Sequence, residues 1–84
     1  MKYICMINED NEFEIFTFPN SVNHDVMAES LEGMKNQTYG NWTRVLRTPI
    51  SAGFVDAAGN CYGESESLGL ESKEEDTALL ANQL

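Results

Sequence analysis

The alternation of apolar and polar positions divides the chain into short segments that predict strands at both ends of a central helix. Lys2 to Asn8 is apolar on both faces, with Tyr3, Cys5 and Ile7 on one and Ile4 and Met6 on the other. That pattern predicts a strand covered on both sides. Glu9-Asp10-Asn11 interrupts it with turn-forming residues, and FEIFTF from Phe13 to Phe18 resumes as a second strand that ends at Pro19. The two make an antiparallel hairpin. Glu12 and Glu14 alternate with Phe13 and Ile15, so the acids are expected in water and the apolar partners in the core.

Asn20, Ser21 and Asn23 are N-cap residues ahead of HDVMAESLEGMK, where Met27, Leu31 and Met34 form an apolar stripe at helical spacing. Asp25 in the first turn and Lys35 in the last suit the helix dipole, and the polar stretch Asn36 to Asn41 with Gly40 ends the helix. From Trp42 to Leu70 the pattern predicts strands throughout: Trp42 to Thr48, closed by Pro49; Ile50 to Val55; and Cys61 to Leu68, with Asp56-Ala57-Ala58-Gly59-Asn60 as a tight loop. Pro49 fits an edge, a strand end or a bulge. In the last of these strands the small residues Cys61, Gly63, Ser65 and Ser67 share one face, open to a close-packed helix. Tyr62, Glu64, Glu66 and Leu68 share the other. Ser72 and Glu75 have capping-box spacing, with Glu74, Glu75 and Asp76 in a first turn that leads into Ala78, Leu79, Leu80 and Ala81, with Leu84 at the end. The order ββαβββα predicts one α+β domain spanning 1–84, with helices on one face of a mainly antiparallel sheet of about five strands.

Charge adds the next constraint. The chain carries 14 acids against 5 basic residues, a net of −9, while 42% hydrophobic content suffices for one core. Such a balance argues against nucleic acid, anionic lipid and polyphosphate as partners and favours a protein with a basic surface. It also keeps a small domain in solution, which is the simpler use of acidity. The acids fall in two arms around a middle segment, 36–55, whose only charges are Arg44 and Arg47. Cross-strand pairing of Glu64 and Glu66 with Arg44 or Arg47 would account for both features.

No constellation for catalysis is present in the sequence. His24 is the only histidine and sits beside Asp25 at a helix start, where capping or solvation is its ordinary role. Zinc would have to draw on His24, Cys5 and Cys61, which offer no close-spaced pair. Asp10, Glu12 and Glu14 match a calcium loop in spacing alone, without its glycine and bidentate glutamate. The chain is therefore expected to be a non-enzyme without cofactor. Cys5 and Cys61 are too few for a disulfide scaffold and are expected to be small buried hydrophobes. The N-terminus has neither the hydrophobic region nor the cleavage site of an export signal, and no stretch has the roughly 20 apolar residues of a membrane span. A cytoplasmic protein is expected, and the sequons at Asn36 and Asn41 are then coincidental.

Ser51-Ala52-Gly53-Phe54-Val55-Asp56, Asn60-Cys61-Tyr62-Gly63, Ser65-Glu66-Ser67-Leu68, Phe18-Pro19 and Asn23-His24-Asp25 together resemble small proteins encoded by bacteriophages and prophages. The resemblance implies a compact accessory protein, of a class in which acidic members cover the nucleic-acid surface of a host protein. The leading expectation is a non-enzymatic module binding a basic host protein, as an inhibitor of a nucleic-acid-binding or defence complex. Asp10, Glu12, Glu14, Glu64 and Glu66 are the contact residues and Tyr62 the aromatic anchor. The alternative is a small-ligand binder with an anion pocket of His24, Arg47 and Tyr62, built as a homo-oligomer. A homodimer through an open sheet edge is compatible with either.

Overall fold

The computed structural model describes residues 1–32 and 46–83, together with the backbone of strands 35–38 and 41–44. The chain runs β1 (Lys2–Asn8), β2 (Phe13–Phe18), α1 (His24–Glu32), β3 (Lys35–Thr38), β4 (Asn41–Arg44), β5 (Arg47–Val55), β6 (Cys61–Tyr62), β7 (Glu64–Ser65), β8 (Leu70–Glu71) and α2 (Glu75–Gln83). Four strands form an antiparallel sheet in the order β2-β1-β5-β6, and β3-β4 and β7-β8 are separate two-stranded ladders. The class is the expected α+β with a mainly antiparallel sheet.

β1 lies in the interior of the sheet and buries both faces, as its double apolar pattern requires. The two helices therefore cover opposite faces, in place of the single face expected. Ile4, Met6, Phe18 and Ala52 pack with Ala28 and Leu31 of α1. Tyr3, Cys5 and Ile15 pack with Leu80 of α2. A strand with apolar side chains on both sides needs a cover on both, and each helix supplies one stripe.

Three predicted elements are cut differently. Lys35 begins β3 and does not close α1, which ends at Glu32. Trp42 to Thr48 is not one strand: β4 ends at Arg44 and β5 starts at Arg47. Pro49 lies inside β5, where the register against β1 shifts between Cys5, opposite Ser51, and Met6, opposite Pro49. Ile50 is the extra residue. A bulge is a place where a strand accepts a residue without an N–H, and β6 pairs with β5 only at Phe54 and Val55, away from Pro49. Met34, Val45, Leu84 and the side chains of Trp42 and Arg44, all used in the sequence reading, lie outside the described residues.

Cys61 to Leu68 is broken as well. Gly63 takes a φ of +79°, which turns the chain out of β6 and into β7, and Gly69, at +66°, closes the β7–β8 turn. A glycine is needed where the backbone enters this region. The expected two-faced strand is replaced by a bent ribbon in which Ser65 is buried and Glu64 and Glu66 are exposed.

Candidate functional site

The chemistry-bearing residues separate into a buried cluster under α2 and an open cleft beside the start of α1. Under α2, Asp76 is 1% exposed and accepts hydrogen bonds from the Tyr3 hydroxyl at 2.5 Å and from the Lys73 amide at 3.0 Å. The carboxylate that reaches back to the helix start is therefore Asp76 on Lys73, one residue later than the expected Ser72–Glu75 box. The same oxygen that caps α2 also fastens it to β1. Burial, reinforced by the bond to Asp76, holds the Tyr3 hydroxyl far above its ordinary range. Burial likewise pushes the Cys5 thiol from 9.0 to about 11, with the Asp76 charge adding to it; the Ser51 hydroxyl, opposite Cys5 and otherwise unpartnered, acts the other way. Cys61 is raised by burial too. Both cysteines are free, and thiols held in this protonated state are poor nucleophiles. This cluster fastens a helix to the sheet.

The cleft lies on the other face, with a volume of about 850 Å³, between Asn23, His24 and Asp25 at the start of α1 and the Tyr62–Ser67 ribbon. His24 forms its inner wall. It is 5% exposed, donates from Nε2 to the Gly53 carbonyl at 2.9 Å, and stands edge-on between Phe18 at 5.4 Å and Phe54 at 5.8 Å. Because a carbonyl only accepts, Nε2 carries the hydrogen of this bond. The ordinary role expected for His24, capping or solvation, is thus replaced by that of a packed core residue. His24 stands on the α1 face and Cys5 and Cys61 on the α2 face, so these three do not converge on one ion.

Tyr62 lies against Phe54 with ring centres 5.9 Å apart and is 52% exposed, which leaves most of one aromatic surface open at the cleft mouth. Asp25, Glu64 and Glu66 are exposed and line the same cleft. Glu64 stands opposite Glu71 in the β7–β8 ladder, an unfavourable like-charge pair. Among the described residues Lys2 is the one lysine or arginine lining the cleft, and its ammonium donates to the Val22 carbonyl at 2.9 Å.

Arg47 is elsewhere. Its guanidinium donates to both carboxylate oxygens of Glu14, at 3.1 and 3.3 Å, and to the Leu31 carbonyl at 3.4 Å, and it lies over the Phe16 ring. That is the sole ion pair among the described residues. It corrects three expectations at once. Arg47 is not part of a pocket with His24 and Tyr62, it does not pair with Glu64 or Glu66, and Glu14 is half-buried in an ion pair, not standing free in water. Glu14 falls on the α1 side of β2, beside Phe16, where Arg47 from the neighbouring end of β5 reaches it.

Asp10 and Glu12 are exposed at the β1–β2 turn. This turn adjoins the Asn8–Arg47 end of the sheet, on the β2 side, whereas Tyr62 pairs with Phe54 at the opposite end on the β6 side. The expected contact set is therefore two groups on diagonal corners, with Tyr62, Glu64 and Glu66 brought together and Asp10 and Glu12 apart from them. Sequence reasoning missed Asp25 as a neighbour of Glu64 and Glu66. The signal available was Gly63, whose positive φ turns the ribbon back along the cleft.

Comparison of the chain with family models, curated proteins and solved structures finds no match in any of the three. Among the described residues no helix is long and apolar enough to cross a membrane.

Proposed function

We propose that this protein is a non-enzymatic module that binds the basic surface of another protein through the cleft corner formed by Tyr62, Glu64, Glu66 and Asp25. One observation carries the reading: three exposed carboxylates line the same cleft as an exposed aromatic ring and have no ion-pair partner among the described residues. An arginine or lysine side chain entering the cleft meets carboxylates on its rim and the face of Tyr62, the two features that bind a cation most strongly. The charge of the whole chain then speeds the encounter. The free cysteines suit a reducing cytoplasm. The reading extends to an inhibitor that covers a nucleic-acid-binding or defence protein, the role implied by the resemblance to phage-encoded proteins.

The small-ligand reading retains the cleft, whose size falls within the range of ligand pockets. With Arg47 committed to Glu14, the carboxylates around that cleft favour a cationic occupant over an anionic metabolite.

Affinity capture with three baits tests the proposal: the native chain, Glu64→Gln/Glu66→Gln, and Asp10→Asn/Glu12→Gln, the two variants having equal net charge. A basic protein retained by the native chain and by the Asp10/Glu12 variant, but lost from the Glu64/Glu66 variant, is the expected result. Equal retention by all three, or nothing retained by the native chain, contradicts it.

A further inference from the structure

β2 is an outer strand of the sheet, and an outer strand offers a row of backbone donors and acceptors to any strand that approaches. Ordinary protection is thin here: FEIFTF contains no lysine or proline, and its one charged residue, Glu14, is committed to Arg47. The position at the middle of the edge is nevertheless occupied. The Ile15 amide donates to the side-chain oxygen of Gln83 at 3.0 Å, and the Gln83 amide nitrogen donates to the Ile15 carbonyl at 2.8 Å. With its carbonyl oxygen and one of its two N–H groups Gln83 makes the bonds that a residue of an incoming antiparallel strand would make. The contact joins residues 68 positions apart, so it is a product of the docked α2 and not of local chain geometry.

We infer that Gln83 is an edge cap, and that its release opens β2 to pair with β2 of a second copy, antiparallel about Ile15. The sequence of the strand selects this occupant. Pairing centred on Ile15 sets Ile15 against Ile15, Phe13 against Thr17 and Glu14 against Phe16, so no carboxylate faces another and the aromatic and β-branched residues meet as good cross-strand pairs. At the other edge of the sheet, β6 spans only Cys61–Tyr62 and offers little to extend. The cap is also releasable. α2 has nine residues and no basic residue in its last turn to offset the helix dipole, so the turn that carries Gln83 is the weakest part of the helix. Capping keeps the acidic cleft on a single copy; release joins two copies with their clefts on the outer edges of a continuous sheet.

Sedimentation of the full chain over a wide concentration range, at about 0.5 M salt to screen the repulsion between acidic copies, tests this directly with amide exchange at Ile15 as the second readout. Gln83→Ala removes the cap, and Gln83→Glu keeps its size but cannot donate to the Ile15 carbonyl. The native chain is expected to stay monomeric with a slow Ile15 amide. Both variants are expected to dimerise at high concentration, and in dilute solution their Ile15 amide exchanges about tenfold faster or more. Folded variants that remain monomeric throughout, an Ile15 amide as slow in them as in the native chain, or a native chain that already dimerises through β2 would each overturn the inference. Should Gln83→Ala lose its circular dichroism, Gln83→Asn, which keeps the amide but is too short to reach, must give the same two results.

Discussion

Gly53 shows how tightly single positions define the cleft. A Cβ built there would stand 2.3 Å from the Tyr62 carbonyl oxygen, which is backbone and cannot swing aside. Gly53→Ala is therefore expected to push β6 off β5, costing about 1–3 kcal/mol in urea denaturation and moving Tyr62 from Phe54. Gly63 works differently: its positive φ already disfavours a side chain, and an added Cβ would press on the Phe54 ring at 3.0 Å. The Arg47–Glu14 pair is a second point at which one residue decides much. The Arg47 side chain is 5% exposed and that of Glu14 is 28% exposed. Arg47→Ala is expected to cost about 2–4 kcal/mol, because it strands Glu14 and the Leu31 carbonyl, and Arg47→Met less, because it keeps the packing on Phe16. A double-mutant cycle with Glu14→Gln reads the coupling. Neither Arg47 nor Glu14 could have been paired from sequence, since they are brought together by β1 lying between β2 and β5. Tyr62, Glu64 and Glu66 were legible as one group because they are near neighbours in the chain.

The elements that survived from pattern to structure are those with strong periodicity. β1 and β2 have the predicted bounds, and α1 and α2 begin close to where their capping residues place them. The failures cluster where glycine, proline or a register shift acts through tertiary contacts: Pro49 in an interior bulge, and Gly63 splitting a strand into a ribbon. Periodicity also could not say that α2 packs on the face opposite α1, although the double apolar face of β1 required a cover on each side. The docking of α2 has a definite pH signature. Tyr3 and Cys5 are held protonated in the folded state, above their ordinary ranges, so the unfolded chain releases those protons first as pH rises. Both groups are protonated in both states at neutral pH and cost nothing there. Stability is expected to fall with rising pH from about pH 9, where the unfolded Cys5 thiol ionises, and more steeply above about pH 10, where the unfolded Tyr3 hydroxyl follows. Tyr3→Phe should abolish the steeper part and should lower stability at neutral pH by about 1–2 kcal/mol through loss of the bond to Asp76. Denaturation midpoints from pH 7 to 11 check both statements; a variant that falls as steeply as the native chain above pH 10 would assign the effect elsewhere.

Considered whole, the molecule places its neutralised charge and its open charge on different parts of the surface. Arg47 and Glu14 satisfy each other beside α1, Asp76 is buried under α2, and the carboxylates of the cleft corner have no ion-pair partner among the described residues and share their cleft with an exposed tyrosine. Asp10 and Glu12 stand on the diagonal corner and share the net charge without sharing the cleft. Binding driven by total charge would treat the two corners alike, whereas a built site distinguishes them. Amide chemical-shift mapping of the native chain titrated with an arginine-rich peptide at physiological ionic strength separates the two. Shifts concentrated at 23–25 and 62–67, saturable and abolished by Tyr62→Ala with Glu64→Gln, with the Asp10–Glu12 turn unmoved, are the result predicted here. Shifts of equal size at both corners, or none at the cleft, would contradict the assignment of this corner as the binding surface.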